Sequence, residues 1–559
     1  MKNYSSLTGT LFKKMICGGA AQLKAHSAEV NNLNVFPVPD GDTGDNMTLT
    51  VSAGVSAVRS NDSDSLGEIA SLVSRGMLLG ARGNSGVILS QLFYGISKGL
   101  KNAQSADCRT FADALACGVR EAYSSVANPT EGTVLTVARE GIGNATAALT
   151  PDSTVNGFVD KIKSEMFSSL SKTPDLLPVL KEAGVVDSGG AGLYYIFDGM
   201  ARTLAGEEIS DGSSPDFTSG NEKGVEDYSA FTEDSVMTYG YCTEFLLRLQ
   251  SSKVDIASFD HSVITDYLSS VGDSVVSWRD GSIVKVHVHT KEPEKVLAFC
   301  RRFGEFLTMK IENMSLEHNE SISDAPKNDS SAEKAEPEKE YGIVAVCSGD
   351  GIKNTFSELG VDCIIDGGQT NNPSVDDFLD AFTIVGARHI FVFPNNSNVI
   401  LAAKQAARIY SESEIHVIEN GDIGSGYVGI ASLDCGAEST DGIINGIYES
   451  MQNVVTGYLT TAVRTTDIDG VHIENGDYIS FVGKKMISAD KDRFSSLQSL
   501  ADSIFEGGGK FMCTVFCGSV INQAECDAFQ AYMKKKYPDM ELYPVYGGQD
   551  VYDFILIAE

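Results

Sequence analysis

The sequence predicts a multidomain protein with an all-α N-terminal domain, an α+β middle domain and an α/β C-terminal domain. A chain of 559 residues is too long for a single hydrophobic core. The segment 206–227 is rich in Gly, Ser and acidic residues, and the segment 316–340 is almost free of aliphatic side chains, so both are interpreted as breaks. We therefore place the domains at 1–205, 228–315 and 341–559.

Hydrophobic periodicity supports each assignment. The first domain shows apolar residues at helical spacing, in one run at Val51, Val55 and Val58 and in another between 89 and 100. The middle domain combines an apolar segment at 241–249, a helix near 255–270 and the strand SIVKVHVHT. These patterns predict helices first and a mixed α+β unit after them.

In the last domain, the β-rich runs GIVAVC, VDCIID, HIFVF and EIHVIE alternate with helical stretches such as NVILAAKQAARIY. This alternation is typical of βαβ units and a parallel sheet. The turn signal at Asn475, Gly476 and Asp477 predicts an added antiparallel hairpin. Cys513 and Cys517 share one face of a strand-like run, which indicates core positions.

Charge and composition exclude several classes of protein. Lys and Arg number 43 against 76 Asp and Glu, and the net charge of −33 repels nucleic-acid phosphates. No run approaches the roughly 18–20 apolar residues of a membrane span. The N-terminus lacks a signal-peptide core, and the eleven cysteines are dispersed. We predict a cytoplasmic protein with no nucleic-acid partner and no integral membrane segment.

The stretch LNVFPVPDGDTGDNMTLT indicates metal chemistry. Asp40, Asp42 and Asp45 surround two glycines directly before an amphipathic helix, with no Lys or Arg beside them. A bound Mg²⁺ would remove the repulsion among these carboxylates, and the N–H groups of the helix N-terminus would receive a phosphate. The alternative is an acidic turn in which an Asp only caps the helix.

Three further glycine turns open predicted helices. GARGNSGVILSQ presents Asn84, Ser85 and Gly86, NPTEGTVLTVARE presents Thr133, and AGVVDSGGAGL presents Asp187 with its neighbours. Each could be a simple N-cap. Because ordinary helix connections need no such glycine clustering, four of these loops in about 200 residues favour a phosphate site.

The strand SIVKVHVHT places His287 and His289 on one face. Together with Cys242 they form a set suited to Zn²⁺, and Glu244 is a substitute ligand. The alternative is a half-exposed strand with its histidines in water and a buried apolar cysteine. Spacing alone does not decide between the two.

The segments PDGDTGDNM, GARGNSG, EGT and VVDSGGAGL, in this order, resemble the DhaL-type nucleotide-binding domain of dihydroxyacetone kinases and fatty acid kinases. The resemblance implies a barrel of antiparallel helices that binds ATP and magnesium at one end. Asp40 and Asp42 align with metal-binding aspartates. The remaining aligned positions, which contact phosphate or line the nucleotide site, are Thr43, Asn46, Met47, Asn84, Ser85, Gly86, Gly132, Thr133, Asp187 and Gly189.

The sequence also departs from this pattern. Glycerone-kinase members carry a further Asp before the pair, where this chain has Asn34 and Val35. Position 45 is often Thr in relatives, so Asp45 is discounted as an obligatory ligand. The third magnesium ligand is therefore either Asn34 or Asp45.

All three domains in this order resemble the ATP-binding component of fatty acid kinases, and TTAVRTTDIDGVHIENGDYI and VYGGQDVYDFILIAE are similar to DegV-type fatty-acid-binding proteins. The resemblance implies ATP-dependent phosphorylation of a fatty acid carboxylate presented by a separate DegV-type carrier. It also implies a homodimer, and it favours zinc in the middle domain, structural or with His287 assisting catalysis.

Elementary chemistry agrees with a carboxylate acceptor. A carboxylate is already ionised at pH 7 and needs no general base, and the sequence shows no obvious base. Arg82 either adds positive charge to the site or is a solvated surface side chain. The alternatives to this function are a dihydroxyacetone-type kinase and a nucleotide-sensing scaffold without catalysis, and we interpret the C-terminal domain as docking or regulatory.

Overall fold

The computed structural model of the protein consists of two compact units. The larger contains Met1–Ser214 and Pro337–Glu559, and the smaller contains Pro215–Glu336. The two predicted breaks lie almost wholly outside the described residues, so their role as linkers stays a prediction. The structure describes residues 3–34, 41–59, 61, 63–207, 241–256, 259–280, 282–313, 339–434, 436, 439–468, 470–483 and 485–559.

The N-terminal segment of the larger unit is helical apart from one pair of short strands. These strands, β1 (Leu7–Thr8) and β2 (Ser105–Ala106), are antiparallel. The helices are α1 (Gly9–Ala25), α2 (Ser27–Asn32), α3 (Thr43–Val58), α4 (Leu66–Leu79), α5 (Gly83–Gly99), α6 (Cys108–Ser124), α7 (Val134–Ala147), α8 (Val155–Leu170), α9 (Thr173–Leu176), α10 (Pro178–Ala183) and α11 (Ser188–Ala205).

The long helices form a closed ring. Neighbours follow in the order α1, α11, α8, α7, α6, α5 and α4, which returns to α1, and α3 lies against α1, α4 and α5. Each helix buries one apolar stripe, as α3 does with Met47, Val51 and Val58, all 0% exposed. A Cβ atom on Gly95 would lie 2.6 Å from the Cα of Gly118, so glycine lets α5 and α6 approach closely. The predicted all-α helical barrel is confirmed.

The smaller unit is a four-stranded antiparallel sheet in the order β4-β5-β3-β6, with helices packed on one face. Val284, Val286 and Val288 are fully buried on that face, as the alternation in SIVKVHVHT predicts. The α+β prediction is therefore confirmed. The elements are β3 (Tyr241–Leu249), α12 (Ser262–Val271), β4 (Asp273–Asp280), β5 (Ile283–Thr290), α13 (Pro293–Cys300) and β6 (Gly304–Asn313).

The C-terminal segment begins with a parallel sheet in the order β10-β9-β7-β8. Its strands carry the four β-rich runs of the sequence, and helices connect them, as the predicted α/β fold requires. The elements are β7 (Tyr341–Cys347), α14 (Asp350–Glu358), β8 (Cys363–Asp366), α15 (Val375–Val385), β9 (His389–Phe393), α16 (Ile400–Ile409) and β10 (Glu414–Val417).

A second, mixed sheet completes the C-terminal segment. Its order is β15-β14-β11-β18-β16-β17, antiparallel except between β16 and β17, and β12 pairs with β13 separately. The elements are α17 (Ile423–Ala431), α18 (Thr440–Met451), β11 (Val455–Thr461), β12 (Thr466–Ile468), β13 (Val471–Ile473), β14 (Tyr478–Val482), β15 (Lys485–Asp490), α19 (Arg493–Phe505), β16 (Met512–Cys517), α20 (Gln523–Lys536), β17 (Glu541–Tyr546) and β18 (Phe554–Ala558).

The hairpin prediction in this region is right about antiparallel pairing but wrong about its turn. The turn with Gly476 joins β13 to β14, which pair with different strands. Gly476 N–H donates to Ala462 O at 2.8 Å, so the turn is held by the end of β11 instead. Cys513 and Cys517 are 0% and 1% exposed, which confirms their core positions.

Candidate nucleotide and metal site

Asp42 is the N-cap residue of α3, but its side chain does not cap the helix. The backbone has φ −118° and ψ 7°, and the carboxylate makes no hydrogen bond to the N–H groups of α3. Its Oδ2 instead accepts a hydrogen bond from Nδ2 of Asn372, in the C-terminal segment. Simple capping is therefore not the role of Asp42, while Asp40 lies outside the described residues.

Asn34 connects the first and last of the four glycine-containing loops. Its Oδ1 accepts hydrogen bonds from Thr43 Oγ1 at 3.2 Å and from Ser188 Oγ at 3.0 Å. Thr43 is the first residue of α3 and Ser188 the first of α11, so Asn34 lies between two helix N-termini. Its Oδ1 atom therefore lies beside the two helix N-termini at which the sequence predicts metal and phosphate binding.

Asp45, the other candidate for third ligand, is directed elsewhere. Its carboxylate is exposed and accepts hydrogen bonds from Ser27 Oγ at 2.6 Å and Asn31 Nδ2 at 2.9 Å. These bonds fasten α3 to α2. This geometry agrees with the sequence analysis, which discounts Asp45 as an obligatory magnesium ligand.

Asn46 and Met47 occupy different surroundings on the first turns of α3. Asn46 is 6% exposed, and a Cβ atom added to Gly83 would lie only 2.6 Å from Asn46 Nδ2. The starts of α3 and α5 therefore meet at this point. Met47 is 0% exposed and packs against Gly192 of α11, so its side chain belongs to the core of the barrel.

The second loop contacts the C-terminal segment on one side and a cavity of the barrel on the other. Gly83 has φ +59°, which favours glycine, and Gly86 is so close to α3 that a Cβ atom would lie 2.4 Å from Thr50 Oγ1. Asn84 Nδ2 donates to Asn398 Oδ1 at 3.2 Å, toward the C-terminal segment. Ser85 lies on the other side, where it lines a cavity of the barrel.

That cavity, of about 220 Å³, is lined by residues of three predicted loops. They stand at the N-termini of α5, α7 and α11, where free N–H groups and the helix dipole favour an anion. Gly132, with φ +84°, directly precedes the N-cap residue of α7. The polar or glycine residues of these loops in the lining are Ser85, Asn128, Thr130, Thr133, Asp187, Ser188 and Gly189.

Asp187 combines capping with an altered titration. It is the N-cap residue of α11, and its Oδ2 accepts a hydrogen bond from Gly190 N–H at 2.7 Å. Burial raises the pKa of Asp187 to about 6, although hydrogen bonds from the Gly190 and Val134 N–H groups act in the opposite direction. A carboxyl group in a cleft with a raised pKa is a candidate functional group.

The C-terminal segment docks on the second loop of the barrel. Arg82 forms an antiparallel β-bridge with Ser374, its guanidinium donates to Asn372 O at 2.8 Å, and it lies 3.6 Å from Asp377. The Arg82 side chain is 27% exposed, so it is a docking residue rather than a solvated surface side chain. The buried pair Gln91 and Gln405, 2.8 Å apart, extends this contact between α5 and α16.

Two buried amide oxygens at this contact have no hydrogen-bond donor within the described part of the chain. They are Oδ1 of Asn372, whose residue is only 2% exposed, and Oδ1 of Asn84. Together with Asp42 and Asn34 they offer oxygen atoms, the ligands that Mg²⁺ prefers. Since Asn372 contacts Asp42 directly, its amide oxygen and the Asp42 carboxylate are ligands of the type that fits a hard divalent cation.

Asn372 is the residue that sequence reasoning missed. It lies in a polar loop, 330 residues after Asp42, and no motif or spacing connects the two positions. Only the docking of the C-terminal segment reveals it.

The candidates for zinc lie on paired strands of the smaller unit. The register of β3 and β5 places Cys242 opposite His289, and Glu244 opposite His287. The side chains of these four residues lie outside the described part of the structure, so the zinc site stays a prediction.

Within the described residues, none of the helices has both the length and the apolar character required to span a lipid bilayer.

Comparison with known proteins covers nearly the whole chain. Residues 37–202 match the DAK2 domain model. Residues 238–321 match the middle domain of the FakA-like fatty acid kinase model, and residues 342–559 match the C-terminal domain of the same family. The three matches follow the order that the sequence predicts.

Relatives match this chain over their full length. Protein YloV of Bacillus subtilis (strain 168) is 37% identical over 558 residues, covering 99% of each chain. A protein of Staphylococcus haemolyticus (strain JCSC1435) is 35% identical over 559 residues, covering 99% of this chain and 100% of its own.

Among solved structures, the dihydroxyacetone kinase from C. freundii in complex with AMP-PNP and Mg²⁺ has a TM-score of 0.29 and 19% identity, covering 35% of this chain and 34% of that chain. The full-length relatives and the family models decide the assignment. The chain belongs to the FakA-like family of fatty acid kinase proteins.

Proposed function

We propose that the protein is the ATP-binding kinase component of a fatty acid kinase, and that it phosphorylates the carboxylate of a fatty acid presented by a separate DegV-type carrier. The observation that supports this most directly is the meeting of three helix N-termini at one cavity of the barrel, where Ser188 Oγ lies 3.4 Å from Oγ1 of Thr43, the residue after Asp42. Membership of the FakA-like family supports the same function.

In this proposal the cavity binds ATP. The N–H groups at the starts of α5, α7 and α11 receive phosphate oxygens, and the hydroxyl groups of Ser85 and Thr133 add donors to the same wall. The apolar lining residues Ile88 and Leu135 offer contact area to the uncharged part of the nucleotide.

Asp40 and Asp42 would hold magnesium, with Asn34 as the preferred third ligand because Asp45 is already bound by Ser27 and Asn31. When bound, the ion neutralises charge on the transferring phosphoryl group. Asn34 also fixes Thr43 and Ser188, so the same residue would align the phosphate-binding N-termini with the metal side of the cavity.

The residues that line the cavity support a carboxylate acceptor. None of the described residues that line it is a histidine or a lysine, and the carboxylate in the lining, Asp187, already accepts a hydrogen bond from the Gly190 N–H as the cap of α11. An ionised carboxylate needs no general base, whereas a hydroxyl acceptor would. The acyl chain would arrive on the carrier, and catalysis would rest on positioning and charge neutralisation.

The resemblance to fatty acid kinases adds three further features to the proposal. They are zinc held by Cys242, His287 and His289, a homodimer, and a cytoplasmic location. A zinc and magnesium analysis of the purified chain, together with its mass in solution, tests the first two.

Turnover of ATP tests the proposed function. We expect consumption when a fatty-acid-loaded carrier is added, and none with the unloaded carrier or with dihydroxyacetone alone. Acyl phosphate, trapped with hydroxylamine, should form in equal amount to ADP. Activity on dihydroxyacetone without a carrier would establish the hydroxy-ketone kinase instead, and ATP binding without turnover on any acceptor would favour the nucleotide-sensing scaffold.

A further inference from the structure

A group of metal-ligating side chains lies at the amino ends of β9 and β10, apart from the proposed kinase site. His389 begins β9 and Glu414 begins β10, and the two are register partners in the parallel sheet. His416 follows Glu414 by two positions and therefore points to the same face of the sheet. These three residues are the metal-binding candidates that the described part of the chain brings together.

Their ligand atoms form a triangle of suitable size. His389 Nδ1 lies 3.2 Å from His416 Nε2 and 3.4 Å from Glu414 Oε2, and His416 Nε2 lies 3.8 Å from Glu414 Oε1. An ion with tetrahedral bonds of about 2.0–2.1 Å has ligand atoms about 3.3–3.4 Å apart. The two imidazoles approach different oxygens of the Glu414 carboxylate, but one ligand atom from each residue can be chosen so that all three lie within 4.8 Å of one another. The three residues could therefore bind one ion with small adjustments of their side chains.

Neighbouring rings hold the imidazoles in this orientation. Tyr341 stacks on His389 with ring centres 5.6 Å apart, and Phe391 lies 5.4 Å from the ring of His416. The histidine side chains are 13% and 14% exposed, while Glu414 is 67% exposed, so one side of the triangle is open to solvent. Glu340 lies 4.0 Å from His389 Nε2, where a carboxylate would orient a metal-bound imidazole.

We propose that His389, Glu414 and His416 bind a divalent transition-metal ion of the zinc class, with water or another small ligand in the open fourth position. Two imidazoles and one carboxylate suit Zn²⁺ or Co²⁺, whereas Mg²⁺ prefers oxygen alone. The ion would join the edge strand β10 to β9 and thereby stabilise the parallel sheet.

The same geometry could also be a metal-free pair of hydrogen-bonded histidines beside a glutamate. The experiment must distinguish this pair from a metal site. It uses the full chain with Cys242→Ser, His287→Ala and His289→Ala together, because the middle unit is itself a predicted zinc site. In this parent chain, freed of metal with EDTA, Co²⁺ is titrated and its visible spectrum recorded. We expect one equivalent bound with the bands of tetrahedral cobalt and no thiolate charge-transfer band, because the cluster contains no cysteine.

Variants assign the site to its residues. Glu414→Gln changes an exposed side chain with little risk to folding and should weaken cobalt affinity by about tenfold or more. His389→Ala with His416→Ala should abolish the spectrum. His472→Ala is the matched control, because His472 pairs with Asp467 at 2.8 Å on an exposed hairpin, and this change should leave binding intact.

Two results would overturn the proposal: no tetrahedral cobalt bands in the parent chain, or tetrahedral bands that persist in the double histidine variant. Unfolding midpoints in EDTA should be equal for the parent and Glu414→Gln, which shows that loss of binding is not loss of fold. The outcome is independent of the kinase assay, since none of the three residues lies in the proposed nucleotide site.

Discussion

The side chain of Asp42 is one of those that link the barrel to the C-terminal segment. An aspartate at an N-cap ordinarily accepts a hydrogen bond from the second or third N–H of its helix. Asp42 instead accepts from Asn372, whose amide oxygen is buried and has no hydrogen-bond donor among the described residues. We interpret this arrangement as a metal ligand held ready by a neighbour.

The proposed role of Asp42 predicts a loss of activity without a loss of fold. Because its carboxylate makes no capping bond but accepts a hydrogen bond from the buried Asn372, Asp42→Ala should cost only about 1–3 kcal/mol of stability, while ATP turnover falls by about a hundredfold or more. Turnover with loaded carrier and circular dichroism on heating measure the two effects.

Asp45→Ala is the matched control. It removes the bonds to Ser27 and Asn31, which should lower stability by about 1 kcal/mol and leave turnover largely intact. Equal losses of turnover in the two variants would contradict the distinction between them.

The titration of Asp187 predicts a pH-dependent stability. Burial raises its pKa from 3.8 to about 6, so between these values the folded chain binds more protons at this position than the unfolded chain does. The stabilisation from this group is complete below about pH 4 and is lost as the pH rises through about 6. At neutral pH the buried charge therefore destabilises the fold.

Asp187→Asn keeps an oxygen for the Gly190 N–H and removes the titration. We expect the variant to be more stable than the natural chain at pH 7.5, by about 2–3 kcal/mol at most, and the difference to shrink at pH 5. Urea unfolding at both values measures it. If the stability difference between the variant and the natural chain grew as the pH fell, burial would not be raising the pKa of Asp187.

At the scale of the elements, the N-termini of α3 and α5 meet through Gly83 and Asn46. Gly83 has φ +59°, and a Cβ atom there would lie 2.6 Å from Asn46 Nδ2. Gly83→Ala should therefore displace Asn46, disturb the start of both helices and weaken binding of an ATP analogue several-fold, as isothermal titration calorimetry would measure.

The chain offers a control for the backbone part of that effect. Gly184 has φ +66° and has no atom within 4 Å of an added Cβ atom among the described residues. Gly184→Ala should impose the same left-handed strain, about 1–2 kcal/mol, without the clash. Similar losses of nucleotide affinity in both variants would argue against a special role for the contact between Gly83 and Asn46.

At the scale of the whole molecule, the C-terminal segment completes the surroundings of the barrel site. Asn372 contacts Asp42, and its own backbone carbonyl is held by Arg82. Because the Asn372 amide fixes the carboxylate of Asp42, Asn372→Ala should raise the Mg²⁺ concentration needed for half-maximal turnover several-fold, with a smaller effect on the maximal rate.

Gln405→Ala separates positioning from docking. It removes the buried bond to Gln91 in the same contact surface but away from Asp42. This variant should lose stability without a shift in Mg²⁺ dependence. A shift of the same size in both variants would assign the effect to docking as a whole rather than to Asn372.

Much of the fold could be predicted because local patterns and tertiary burial agree. The valines of β5 alternate inward, and the apolar stripe of α3 faces the core of the barrel, as their spacing requires. The turn at Gly476 could not be predicted, because a local turn signal does not say which strands will pair on either side of it. In the structure, the turn is held by the hydrogen bond from Gly476 N–H to Ala462 O, at the end of β11.

The sequence by itself determined the classes of the domains and the positions of the glycine loops, because helical and strand periodicities and turn residues act over a few neighbouring residues. Only the tertiary structure decided that residues of three loops line one cavity, that Asp42 meets Asn372, and that His389 lies beside His416. These contacts join residues far apart in the chain, and their free energy depends on the packing of whole helices and sheets, which no short stretch of sequence encodes.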